Sequence, residues 1–568
     1  YTNKAWSVSP YVYSKDANNE YVLNPRTSPS LNLTQNQTNY QEYQLQVNYN
    51  RSFGLHNVTA MTMVLARKGF SSTSCMFRNS FDSEILDQIN AGNTDGQTMN
   101  AVDSETARAS YMARVNYNYA SKYLVEFNIR RDGSENFAPD KRWGTFASAS
   151  LGWVISEEPF FESLKNTINF LKIRGSYGTL GNDNTGGVSF PFYSRFELYQ
   201  GAVASNGFMN NLGDYAFGDL VTKGLVPGAI ANSLATWEKS NKANIALDAT
   251  LFNNLNFTVD LFTERRTNIL TQRTAEVPSS FGGTLPLENI GIVNNKGIDL
   301  SLNYHNSIGK VNYSVGGNFT FARNKIVEMA EAEGTSEYMR QTGRPINGYY
   351  GYKTDGIFQS QEEIDSYAKQ EVAGVGYETQ IGDIKYVDVD GNGVVNSDDM
   401  TYLGYGNIPE IIYGINGSLN WKNFDFSFLM QGAANAQVYL KGGIILPYFN
   451  QGNLPQFWVN EAWTEENPSN RYPRLAESVH NFPATDVPGV QTYLYNASYL
   501  RLKNIEVGYT FPTSWLSRIG VTNARVYVNA QNLFTISNVP QIDPENTEQE
   551  GWTYPQMKSF NFGLSLQF

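Results

Sequence analysis

A single cysteine, Cys75, stands in 568 residues, so no intrachain disulfide can form and cysteine usage says nothing about the redox compartment. No apolar run reaches the roughly 18 residues that a membrane-spanning helix needs. Histidine is scarce, with only His56, His305 and His480, and His305 sits at a strand end between Tyr304 and Asn306. There is no H-E-x-x-H, no Walker loop, no zinc-spaced cysteine pair, and no G-x-S-x-G elbow near a candidate acid and histidine. The chain therefore reads as a non-enzyme. Basic residues are outnumbered, 42 against 54 acidic, for a net charge of −12. Phosphate binding needs clustered Lys and Arg, so this balance argues against a nucleic-acid partner.

What is present is aromatic, glycine-rich and alternating. Aromatics make up 14%, with 36 Tyr and 33 Phe beside 48 Gly, while charged residues are only 17%. That composition suggests many strands and turns, with rings available for membrane interfaces. A large soluble β protein would have the same composition. The last segment is more specific. Phe560, Phe562, Leu564, Leu566 and Phe568 alternate with mostly small or polar residues, and the chain stops on Phe568. Side chains in a strand alternate faces, so this segment has one greasy side and one polar side. It is long enough to cross a bilayer, which takes about 9–11 tilted residues.

The same rhythm recurs. Tyr43, Leu45, Val47 and Tyr49 alternate with Gln44, Gln46 and Asn48. Tyr111, Ala113, Val115, Tyr117 and Tyr119 lead through the turn Ala120, Ser121 and Lys122 into Val125, Phe127 and Ile129, a hairpin with Arg114, Asn116, Glu126, Asn128 and Arg130 on its polar face. Further strands are expected at 144–155, 171–177, 243–251, 256–262, 297–304, 311–321, 412–419, 424–430, 500–511 and 525–531. Apolar parity flips within 500–511, which predicts a β-bulge at Lys503 and Asn504. The total comes to roughly sixteen strands. Segments 70–103, 179–235, 271–291, 330–408, 440–492 and 538–555 read as long loops, with a helix within 360–369. Short turns on one side and long loops on the other are the asymmetry of an outer-membrane barrel. The start, Tyr1 to Trp6, is neither a signal peptide nor a translation start, so a preceding part is expected.

Seven motifs then fall in order: YASKYL at 119–124 with RRDGS at 130–134, WGTFASASLGW at 143–153, LKIRGSYG at 171–178, NIGIVNNKGI at 289–298, YGYKTDGIF at 350–358, YLRLKNIEVGY at 499–509, and NAQNLF at 529–534. With these the chain resembles the SusC/RagA-type TonB-dependent outer-membrane transporters of Bacteroidetes. The resemblance implies an all-β fold, a transmembrane antiparallel barrel of about 22 strands with a plugged lumen, of which 1–568 would be the C-terminal part. The plug and the family's N-terminal extension are expected to lie outside this chain. It implies import of a large nutrient, glycan or oligopeptide, driven by a TonB complex acting on the plug. The implied partners are a SusD-like surface lipoprotein, outer-membrane lipid, and a second transporter–lipoprotein pair in a dimer. It implies that Phe568 serves as the assembly signal. The rival expectation is an outer-membrane adhesin or receptor that binds a surface partner without active transport.

Three candidate sites follow. In segment 383–408, expected to be an extracellular loop, Asp388, Asp390, Asn392, Asn396 and Asp399 occupy positions 1, 3, 5, 9 and 12 of an EF-hand-like loop, with Gly393 at 6 and the Val394 carbonyl at 7. Such a loop would hold Ca²⁺ as a structural ion, while a solvated Asp/Asn/Gly-rich turn would look the same. Tyr349, Tyr350, Tyr352, Phe358, Trp458, Trp463 and Trp552 could contact substrate, or could simply pack their loops. Arg114 and Arg130 would face the lumen and meet cargo or plug.

Overall fold

The computed structural model describes residues 2–7, 13–15, 21–23, 29–82, 85, 88–198, 214–217, 220–223, 225–228, 230–273, 285–373, 377–447, 454–476, 480–481, 489–516, 520–540, 542–546 and 553–568. Sixteen strands form one sheet: β1 (Thr2–Ser7), β2 (Ser30–Phe53), β3 (His56–Arg78), β4 (Thr98–Tyr119), β5 (Tyr123–Ser134), β6 (Trp143–Val154), β7 (Ile168–Asn182), β8 (Glu238–Leu251), β9 (Leu255–Gln272), β10 (Leu287–Ile308), β11 (Val311–Glu328), β12 (Ile411–Trp421), β13 (Phe424–Ala434), β14 (Tyr499–Thr510), β15 (Asn523–Ser537) and β16 (Ser559–Gln567). Each pairs antiparallel with its neighbours in sequence, an up-and-down meander. No helix among the described residues is long and apolar enough to cross a membrane.

The two faces differ in chemistry. Leu45 (69%), Ile245 (64%) and Leu261 (54%) stand exposed on the outer face. Ile245 and Leu261 are direct cross-strand partners there. Water would penalise such a face, and hydrocarbon does not. The opposite face carries ion pairs that cross from strand to strand. Arg174 on β7 reaches Asp248 on β8 at 3.1 Å and Asp260 on β9 at 2.8 Å. Arg525 on β15 holds both Asp425 on β13 and Glu506 on β14. A wetted, hydrogen-bonded inner wall and an apolar outer wall define a membrane barrel surface.

Tight turns close one end of the sheet. Between β4 and β5, Ala120 (φ 52) and Ser121 (φ 60) are both left-handed, Lys122 N donates to Tyr119 O at 2.9 Å, and Asn118 Oδ1 accepts from Ser121 N at 2.8 Å. That geometry matches the twist of the flanking strands. Phe252 and Asn253 repeat it between β8 and β9. The bulge expected at Lys503 and Asn504 is found, since the adjacent residues Leu429 and Met430 of β13 pair with Asn504 and Leu502, leaving Lys503 as the extra residue.

One expectation is corrected. Much of 70–103 is not loop, because β3 runs to Arg78 and β4 starts at Thr98. Polar residues such as Ser71, Ser72 and Ser74 continue the pairing of Val64 and Leu65 without apolar alternation, so no hydrophobic rhythm marks them. The long loops pack on one another. Parts of 329–410, 435–498 and 538–546 share one apolar core built around Tyr352, Ile384, Tyr386, Val395, Trp458 and Tyr493. Short strand pairs stitch it together: Tyr349–Tyr352 runs beside Thr401–Gly404 and beside Gly489–Val490. At Gly351 a Cβ would meet the Gly489 carbonyl oxygen at 1.7 Å, so only glycine allows that backbone approach. The expected helix is Gln361–Ser366, capped by Ser360, whose side chain accepts from Glu363 N at 3.3 Å.

Candidate functional site

The acidic loop sits at the edge of this loop core. Val395 is fully buried in the core, and Val394–Val395 pairs with Lys369–Gln370, which anchors one side of the loop. Carboxylate oxygens of Asp388, Asp390 and Asp399 lie within 4.8 Å of one another. Asp388 accepts from Gly391 N at 2.7 Å and Gly393 N at 2.8 Å. Asp399, fully buried, accepts from Val389 N at 2.7 Å and Asn396 N at 2.8 Å. Gly391 (φ 76) and Gly393 (φ 87) supply the left-handed backbone that this wrap requires. Burial acts to raise the Asp388 carboxyl, but the amide donors of Gly393 and Gly391 outweigh it and hold the group below its usual range. Asn392 and Asn396 turn their side-chain oxygens to the amides of Val394 and Asp398. Hard oxygen donors in this arrangement fit a calcium ion.

The aromatic candidates divide. Trp458 is corrected: it is fully buried in the loop core, and its indole N–H donates to Ile445 O at 2.7 Å, so it has no face to offer a ligand. Tyr352 (5%) is buried in the same core, and Phe358 (0%) is buried with its ring against Tyr367 at 5.6 Å. Tyr349 packs on Tyr439 with centroids 6.4 Å apart. Tyr350 donates to Arg340 O at 2.9 Å, and burial, the largest influence, pushes its phenol up to about 12. Trp463 donates to Gln359 Oε1 at 3.0 Å. Tyr349, Tyr350 and Trp463 keep part of their surface open. Trp552 lies outside the described residues. Phe568 follows β16 with 82% of its surface exposed.

Arg114 and Arg130 share the inner wall of β4 and β5 and line one recess. Arg114 Nε donates to Asn128 Oδ1 at 2.7 Å, and Arg130 pairs with Asp132 at 2.6 Å.

His480, unread in the sequence, is a keystone of the loop core. It is fully buried, stacks on Tyr377 at 4.8 Å, meets Tyr386 edge-on at 4.9 Å, and bonds Ile384 O through Nε2 at 2.8 Å. Nδ1 has no partner among the described residues. Burial pushes the imidazole below its ordinary range; Asp383 nearby acts upward and Arg474 downward. The unfolded loop therefore binds more protons below about pH 6.5, so stability from this group is full above that value and falls as the pH drops. Protection of the Ile384 and Tyr386 amides, measured as exchange relative to the intrinsic rate at each pH, is expected to fall between pH 7.5 and 5.5, and His480→Gln to flatten that dependence. Equal protection at both pH values in the parent would contradict it.

This geometry defines an outer-membrane β-barrel protein with a folded loop assembly at one end. The family described as TonB-dependent receptor-like β-barrel matches residues 1–357, and the chain belongs to it. TonB-dependent receptor P26 of Formosa agariphila is 31% identical over 485 residues, covering 81% of this chain and 46% of that protein. TonB-dependent receptor SusC of Bacteroides thetaiotaomicron is 29% identical over 574 residues, covering 99% of this chain and 52% of that protein. The solved structure of the RagAB peptide transporter superposes with a TM-score of 0.73 at 23% identity, over 95% of this chain and 56% of that one, and supports the fold. The chain spans about half the length of the curated relatives it matches.

Proposed function

We propose that the protein to which this chain belongs imports a large nutrient, a glycan or an oligopeptide, across the outer membrane, driven by TonB and assisted by a SusD-like surface lipoprotein. The observation that carries this reading is the sixteen-stranded wall, apolar outside and ion-paired inside, within a family named for TonB dependence. The test is uptake of a panel of labelled glycans and peptides by a deletion strain carrying the full-length protein, with and without TonB. Uptake that stops without TonB supports import. Surface binding with no uptake would return the chain to the adhesin reading.

The loop at Asp388–Asp399 adds a structural role for calcium, for which Asp388, Asp390, Asp399 and the Val394 carbonyl are the oxygen donors. Replacing Asp388 and Asp390 together by Ala is expected to make 383–408 protease-sensitive in the presence of calcium. Equal sensitivity of variant and parent, with and without EDTA, would rule out an ion there.

A further inference from the structure

The outer wall gathers cations at the loop end of its apolar belt. On β8–β11 the lipid-facing side chains fall into rows that cross the strands. Ile245, Leu261, Ile298 and Phe321 form one such row. The next row toward the loops is Thr263, Lys296 and Arg323, and the one beyond it is Arg265, Asn294 and Lys325. Arg265 and Lys325 thus flank Asn294 from the two neighbouring strands. Lys296 is the adjacent outward residue beside Asn294 on β10 itself. Arg265, Lys296 and Lys325 are all exposed.

These three have no counter-charge among the described residues. Arg265 Nη1 donates to Asn294 Oδ1 at 3.3 Å, and none of the three makes an ion pair there. Arg323 differs, because Glu410 accepts from it at 2.8 and 2.6 Å. The carboxylates of β8–β11 are engaged elsewhere or face the lumen. Asp248 and Asp260 meet Arg174, Glu264 meets Lys242 and Arg266, Glu238 meets Arg266, and Glu288 meets Arg273. Asp299 and Glu328 alternate onto the lumen face. Like charges on adjacent positions of one sheet face repel, so folding alone gives no reason to place these cations together. Whatever fills the lumen cannot touch this face, and β8–β11 are paired on both flanks, by β7 and β12.

Their height on the wall names the ligand. Outer-membrane barrels turn short loops to the periplasm and long loops outward, so these cations stand level with the headgroups of the outer leaflet. Long basic side chains lay their stems along apolar neighbours and keep their charge at the interface. Basic clusters at that level bind anionic headgroups. The outer leaflet of an outer membrane is built of phosphorylated glycolipid, and phosphate oxygens accept from guanidinium and ammonium alike. Asn294, with its Oδ1 engaged by Arg265, keeps an Nδ2 donor in the middle of the group.

We infer that Arg265, Lys296 and Lys325, grouped around Asn294, form a site for the phosphate of an outer-leaflet glycolipid, whatever the barrel imports. The test titrates the full-length protein in detergent with diphosphoryl lipid A, and with the same lipid A stripped of its phosphates, and reads bound lipid by native mass spectrometry. The parent is expected to prefer the diphosphoryl form about a hundredfold, roughly fivefold for each cation at a headgroup. The triple variant Arg265→Gln/Lys296→Gln/Lys325→Gln should lose that preference. Lys296→Gln alone removes no ion pair and should lower it about fivefold, which keeps the test decisive if the triple variant does not assemble. Lys242→Gln, an equal loss of charge on the lumen face of β8, should leave it unchanged. Equal binding of the two lipids by the parent would overturn the site. So would an equal loss in Lys242→Gln, which would make net charge the cause. A triple variant that keeps the lipid preference but loses self-association would also overturn it, and would give this face to a second copy of the chain.

Discussion

Replacing Arg501 with methionine is expected to free the segment around Asp543 and Glu545 from the barrel wall. Arg501 is a fully buried guanidinium on β14. It donates to Asp543 at 2.5 Å, to Glu545, and through Nε to Thr535 at 2.9 Å. Glu545 also accepts from Tyr499 at 2.7 Å and Gln431 at 2.7 Å. Next to this clasp, Val539 and Ile542 enter the loop core. Removing one member of a buried charge cluster costs about 3–5 kcal/mol, because the remaining charges stay desolvated. Glu545 is 38% exposed and can rehydrate, which puts the expected loss near the lower bound. About 3 kcal/mol corresponds to roughly hundredfold faster hydrogen exchange at the Val539 and Ile542 amides. The triple variant Arg501→Met/Asp543→Asn/Glu545→Gln should recover part of that protection by removing the orphaned charges. Unchanged exchange in Arg501→Met would show that the clasp holds nothing.

Trp458→Ala is the second large effect. The indole packs on Tyr472 at 5.0 Å and on Phe457 at 5.8 Å and satisfies the Ile445 carbonyl. A truncation of this kind in a close-packed core costs about 3–5 kcal/mol. Exchange at the Ile384 and Tyr386 amides should rise by roughly two decades, while the barrel keeps its resistance to unfolding in detergent on gels. Trp458→Phe should fall between. Lost cargo uptake with unchanged loop exchange would instead make Trp458 a ligand contact.

The barrel wall was largely readable because its signal is local. Phe560, Phe562, Leu564 and Leu566 alternate in sequence and stand 60, 80, 62 and 46% exposed on the outer face of β16. The bulge at Lys503 was readable for the same reason, as one extra residue reverses parity. β3 was missed because Met61, Met63 and Leu65 are apolar on the inner face while Val58, Val64 and Ala66 are apolar on the outer one, which erases the alternation. The loop core was hidden because its members come from segments far apart in the chain: Ile384, Trp458 and Tyr493 meet only after folding. Nothing near Trp458 in sequence distinguishes a buried anchor from an exposed platform. Arg114 and Arg130 show in the hairpin, but the juxtaposition of Arg265, Lys296 and Lys325 needs the register of β9, β10 and β11. His480 carried no motif at all, and its role comes from Tyr377, Ile384 and Tyr386 closing around it.

The central claim is that alternate side chains of each strand face lipid and lumen. Spin labels placed one at a time at positions 43 to 49 of the full-length protein in lipid vesicles, with Cys75 replaced by Ser, test it most directly. Collision with oxygen, which concentrates in hydrocarbon, should peak at 43, 45, 47 and 49. Collision with a water-soluble nickel chelate should peak at 44, 46 and 48. A flat profile, or one with peaks on the even positions for oxygen, would contradict the account.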